Sequence, residues 1–98
     1  MPAYWIARGR IEEPVAYKKY ADQVPAIIAE YGGKVLARGG RFKVLEGTDR
    51  FSRFVVIEFP SLEQAVACHD SAAYQSAAAH RKAQGVGEVE LAIVEALG

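Results

Sequence analysis

Aromatic and β-branched residues crowd together from Ala3 to Gly9 (AYWIARG), the composition of a first strand. Glu12 and Glu13 then precede Pro14, which suits a helix start. Proline loses no needed hydrogen bond in the first turn, and carboxylates favour the positive end of the helix dipole. Val15, Tyr17, Tyr20, Ala21, Val24, Ile27, Ile28 and Tyr31 follow at three- and four-residue steps, giving one apolar stripe that stops at Gly32-Gly33, with a kink expected at Pro25. Lys34 to Glu46 alternates as a second strand, interrupted near its middle by Arg38-Gly39-Gly40, where a β-bulge or coil point is expected. Gly47-Thr48-Asp49 carries turn chemistry, and Ser52 to Phe59 (SRFVVIEF) reads as a third strand pairing with the second in a hairpin. After Pro60, Ser61 and Gln64 form a capping box for a helix from Leu62 to about His69. Ser71 can cap another turn, so Ala72 to Gln84 reads as a continuation or a second helical piece, and Glu88 to Ala96 alternates as the last strand.

The order β-α-β-β-α-β predicts an α+β fold of ferredoxin-like form, a four-stranded antiparallel sheet with its helices on one face. The third strand carries Phe54 and Val56 on one side and Val55, Ile57 and Phe59 on the other, so both sheet faces are apolar there. A second copy of the chain packed sheet to sheet is the economical cover for the face without helices, and a homodimer is expected.

Composition narrows the partners. The chain has 98 residues, 51% of them hydrophobic, which fits one domain over residues 1–98 with a single core. Twelve Lys plus Arg balance twelve Asp plus Glu, so no broad basic field invites nucleic acid or an anionic membrane. The lone Cys68 permits no internal disulfide and accords with a reducing cytoplasm. No signal peptide is expected at the N-terminus, and no segment approaches the roughly 18 apolar residues of a membrane span.

The segments AYWIA, Tyr17 and Tyr20 before YGGKVLARGG, VLEG, VVIEFPS and DSAAYQ together resemble the DUF1330 family, small domains of unassigned function. The resemblance spans nearly the whole chain and implies the dimeric α/β-barrel form of the ferredoxin-like fold. That wider group includes cofactor-independent monooxygenases, lactone isomerases, haem-dependent enzymes and ligand-binding regulators, so fold analogy barely narrows the chemistry. One departure from the family pattern is Cys68-His69, which stands before Asp-Ser where aromatic residues are usual.

Among the candidates for chemistry, Glu58 sits in the apolar run VVIEFP, where an unpartnered carboxylate would be costly and should find a cation. Hairpin pairing through Gly47 is expected to bring Arg38 and Arg41 near it. A structural bridge locking the hairpin is the preferred reading over acid-base chemistry, with Arg38 and Glu58 the leading pocket residues. Trp5, Tyr4, Tyr17, Tyr20, Tyr31 and Tyr74 ring the space between sheet and helices where small apolar ligands lodge. Tyr17 and Tyr20 follow the stripe and are expected to pack. The Ser71-x-x-Tyr74 pattern is a family feature, which raises Ser71 and Tyr74 as ligand contacts.

His69 and His80 would stand roughly 16 Å apart on one straight helix, so no shared metal is expected, and no haem. Cys68 reads as a buried thiol, and His80-Arg81-Lys82 as a solvated helix end, although the family pattern places an arginine near Arg81. ARGG lacks the spacing of a phosphate loop. No cofactor is expected. Two functions follow: a module binding a small, possibly anionic metabolite between sheet and helices, or a cofactor-independent enzyme, monooxygenase- or isomerase-like, with Arg38 balancing charge and Glu58 or His69 moving a proton.

Overall fold

The computed structural model describes residues 1–98. Its elements are β1 (Ala3–Ile11), α1 (Pro14–Ala21), α2 (Val24–Glu30), β2 (Lys34–Arg38), β3 (Arg53–Phe59), α3 (Leu62–Asp70), α4 (Ala72–Lys82) and β4 (Gly87–Glu95). The sheet runs β2-β3-β1-β4, antiparallel throughout, with the four helices against one face. This is the ferredoxin-like α+β arrangement expected from the strand and helix order.

The kink expected at Pro25 is a full break, and the second helical region is two helices rather than one continuous one. Pro25 has no N–H, and its ring clashes with the carbonyl four residues earlier, so α1 ends at Ala21 and α2 restarts with Pro25 in its first turn. Ser71 makes the second break. Its hydroxyl donates to the Cys68 carbonyl at 2.7 Å and accepts from the Tyr74 N–H at 3.2 Å, closing α3 and opening α4. Ser61 accepts from the Gln64 N–H at 3.0 Å at the start of α3, as the capping pattern predicts.

Period-two alternation sorts the sheet into two sets of layers. On the helix side Trp5 faces Ile57 and Ile93, and Ala7 faces Val55 and Leu91; on the other side Ile6 faces Val56 and Ala92, and Tyr4 faces Glu58 and Val94. Trp5 is 2% exposed and lies 5.8 Å from the Phe59 ring and 5.2 Å, edge on, from Tyr74. From α4, Ala77 and Ala78 let the helix approach this aromatic group closely, and the rest of the alanine run faces outward.

Two expectations about β2 are corrected. The strand stops at Arg38 rather than continuing to Glu46, and residues 39–52 contain no strand. Gly39 takes φ +63, a conformation that turns the chain off the sheet. The chain returns at Phe51, which is 1% exposed and holds the guanidinium carbons of Arg8 and Arg50 at 4.4 and 4.7 Å from its ring centre. The bulge, expected at the glycines, lies earlier: Val35 pairs with Ile57 but Ala37 pairs with Val56, leaving Leu36 as the extra residue.

Candidate functional site

That one-residue shift decides where Arg38 points. Continued without a bulge, the register would set Arg38 opposite Phe54, on the same face as Glu58. With Leu36 inserted, Arg38 lies opposite Val55, whose side chain faces the helices. The expected approach of Arg38 or Arg41 to Glu58 is therefore corrected. Glu58 lies across from Tyr4 and Lys34 on the face without helices, and Arg38 is on the other side of the sheet.

Arg38 borders a cleft between the sheet and α1–α2, with about 60 Å³ of free volume. One water needs roughly 10–15 Å³ on this scale, so a small organic molecule would find a start there and extend outward. Trp5, Tyr17, Tyr20, Ile28, Val55 and Leu91 supply most of its apolar wall. No aspartate or glutamate occurs among the 17 lining residues, whereas Arg8, Arg38 and Arg53 do, and of these Arg8 is engaged by Glu90 at 2.7 Å.

Arg53 opens β3 opposite Gly9. Its guanidinium carbon lies 5.9 Å from the Tyr17 ring centre. A Cβ at Gly39 would come within 2.9 Å of Arg53 Nη1, so Gly39 serves twice, once for its positive φ and once for the space Arg53 occupies. Two buried side-chain nitrogens in the molecule lack a hydrogen-bond partner, and both are arginine Nε atoms, of Arg53 and Arg81.

Arg81 corrects another expectation. It is 8% exposed and turned inward rather than solvated. Tyr74, Ala77, Ala78 and Arg81 share one buried face of α4, and this i, i+3, i+4, i+7 spacing was the available sequence signal. Arg81 Nη2 donates to Tyr74 Oη at 3.2 Å, and Tyr74 Oη shares a 2.8 Å hydrogen bond with Tyr20 Oη. Burial opposes the guanidinium charge, but hydrogen bonding to Tyr74 and the two phenols together prevail and raise its pKa. Burial pushes the Tyr17 and Tyr20 phenols up, reinforced in each case by a neighbouring tyrosine. The phenols are donors at neutral pH.

The other candidates are dispersed. Trp5 lines the cleft; Tyr74 stands behind Tyr20, fully buried; Ser71 is occupied as a helix cap. His69 Nδ1 lies 2.9 Å from Asp70 Oδ1, and its ring is 5.9 Å from Trp5, outside the cleft lining. Cys68 is fully buried, and burial pushes its thiol up to about 11, which suppresses the thiolate at neutral pH. Arg53 is a site residue that sequence reading did not find, and Arg81, which the family pattern left open as a weak anion contact, lies buried against Tyr74 and Tyr20.

A ferredoxin-like sheet with a cationic, aromatic cleft under its helices is the class the coordinates define. The family model for DUF1330, a domain of unknown function, matches residues 2–97, and the chain belongs to that family. A protein of unknown function from Rhodopseudomonas palustris superposes with a TM-score of 0.78 at 21% identity, covering 99% of this chain and 83% of that one. A dimeric ferredoxin-like protein of unknown function from Jannaschia gives 0.65 at 15%, covering 98% and 100%. SnoaB, a cofactor-independent oxygenase from Streptomyces nogalater, gives 0.65 at 13%, covering 99% and 94%. These likenesses establish the fold. No curated protein sequence matches the chain. No helix is long and apolar enough to cross a membrane.

Proposed function

We propose that this protein binds a small, mostly apolar molecule bearing a negative charge in the cleft between its sheet and α1–α2. The observation that carries this reading is a lining with three arginines and no carboxylate: Arg8 is already paired with Glu90, whereas Arg38 and Arg53 meet no carboxylate and Arg53 keeps a buried Nε without a partner. A buried unpaired donor is costly, and a ligand oxygen would remove that cost. We propose further that the protein works as a homodimer joined through the sheet face that lacks helices. Ile6 is 46% and Val94 51% exposed on that face, and the structural relative from Jannaschia is dimeric. The lone thiol of Cys68 accords with a reducing cytoplasm.

A catalytic reading borrows from SnoaB, which shares the fold. Proton abstraction needs a base within reach of the substrate. Glu58 is on the opposite sheet face and His69 is outside the cleft lining, so the groups at hand donate and do not accept. Binding is therefore preferred. Titration calorimetry with benzoate and benzyl alcohol tests this. Benzoate should saturate and bind about tenfold or more tightly than the alcohol, as a charge-assisted contact implies. Arg53→Met should erase that preference. Equal binding of the two compounds, or no saturation by benzoate, defeats the proposal.

A further inference from the structure

The hydrogens of the buried phenols can be assigned by counting. Tyr74 Oη accepts from Arg81 Nη2 and shares one hydrogen bond with Tyr20 Oη. If Tyr20 donated in that shared bond, Tyr74 would keep its own proton with no acceptor, at a side chain that is 0% exposed. If Tyr74 donates, its own proton is used and its oxygen accepts from Arg81 Nη2, so the Tyr74 hydroxyl is satisfied both ways. The proton left over then belongs to Tyr20, which borders the cleft. The chain runs in one direction, from the Arg81 guanidinium through Tyr74 to Tyr20, and each step polarises the next. The Arg81 guanidinium carbon, 5.0 Å from the Tyr20 ring centre, adds its field to that phenol.

This donor stands apart from the arginine end of the cleft. The Tyr17 ring lies between them, 5.9 Å from the Arg53 guanidinium carbon and 5.4 Å from the Tyr20 ring centre. We infer that the cleft recognises a two-ended ligand, an anion held by Arg38 and Arg53 and, about one aromatic ring away, a carbonyl-type oxygen that accepts from the Tyr20 hydroxyl. Tyr20 is the specificity-determining contact, and Tyr74 and Arg81 are positioning residues behind it. The inference rests on the proposed anion-binding role and adds the second oxygen to it.

The probes are 4-acetylbenzoate and 4-isopropylbenzoate, of nearly equal shape, one with an acceptor where the other has a methyl group. Calorimetry on the full chain should show the ratio of their affinities falling about tenfold in Tyr20→Phe, the effect of roughly one well-made hydrogen bond. In Tyr74→Phe the fall should be smaller, about threefold, because Tyr20 keeps its proton and loses only its polarising neighbour. Affinity for 4-isopropylbenzoate should not change in either variant. The infrared carbonyl stretch of bound 4-acetylbenzoate should lie below its free value in the wild type and return toward it in Tyr20→Phe, a signature that a packing defect does not produce. An unchanged ratio and an unshifted stretch, with Arg53-dependent binding of both compounds intact, overturn the second contact and leave the anion site standing. Equal loss of both compounds in Tyr20→Phe overturns it also. Failure of both compounds to saturate the wild type overturns the two readings together.

Discussion

On the sheet face without helices Arg8 meets Glu90 at 2.7 Å, and Arg10 and Arg50 meet Glu12 and Glu88 at 2.8 and 3.0 Å. On the helix side Arg38, Arg53 and Arg81 meet no carboxylate. The paired set is partly exposed, where such bridges contribute little and could be dispensed with. The unpaired set includes one side chain that is 8% exposed, where a charge without a counter-ion costs most. Carboxylates are as numerous as cations in this chain, so neutralising the helix side would have needed only a different placement. Local consistency is broken at the cleft, the place where a binding site would require it.

The largest effects should come from adjacent residues of β1 that address the two faces. Trp5→Ala removes the centre of the aromatic group under the helices and is expected to lower stability by about 3–5 kcal/mol, read from urea denaturation at fixed protein concentration. Ile6→Asp, one residue on, should leave the monomer folded and place a charge in the proposed dimer interface. Sedimentation at micromolar concentration should then give a monomer where the wild type gives a dimer. A Trp5→Ala cost below about 1 kcal/mol would mean that the core is centred elsewhere. An unchanged dimer in Ile6→Asp would move the interface off this face.

The contrast also marks how far the sequence could be read. Strand and helix identities were legible because the apolar period switches from two to 3.6 at Pro14 and Pro60, where stop and start signals coincide. Side-chain direction was legible for Trp5 and Ile57, whereas Tyr4, expected beside Trp5 under the helices, faces the other way as strand alternation requires. It was lost at Leu36, since Val35-Leu36-Ala37 carries no residue that announces a bulge, and the conspicuous glycines lie just beyond it. One inserted residue sent Arg38 to the helices, on the other side of the sheet from Glu58. Arg53 was hidden because its importance depends on facing Gly9 across the sheet, a relation between distant segments. Arg81 was visible in principle, but helix-end electrostatics gave an equally good account of a basic C-terminal turn.

A second pair of substitutions tests the charge asymmetry by its sign. Arg53→Met should raise the stability of the ligand-free protein by about 1 kcal/mol, because it removes a buried donor without a partner and keeps most of the side chain's volume. Arg8→Met should lower stability by about 0.5–1 kcal/mol, since it removes an exposed bridge and a contact with the Phe51 ring. Ligand affinity should move the opposite way, lost in Arg53→Met and retained in Arg8→Met. Two destabilised variants would mean that Arg53 has the same structural role as Arg8.

The smallest effect is a pH dependence confined to the paired side. Hydrogen bonding to Arg50, with the charges of Arg50 and Arg10, holds the Glu88 carboxyl below its ordinary value of 4.5. The folded state therefore binds this proton more weakly than the unfolded chain does. Its contribution to stability is present above the unfolded carboxylate value and is lost as pH falls through the lowered folded one. The stability difference between wild type and Glu88→Gln should be constant from neutral pH down to the mid-fours and shrink below that, toward zero once Glu88 is protonated in both states. Molar salt should reduce the neutral-pH difference, because the bridge is exposed. The helix-side arginines have no carboxylate to titrate, so Arg53→Met and wild type should keep the same stability difference across this acid range. A difference that changed there would place a carboxylate against Arg53 and remove the reason for expecting an anion beside it.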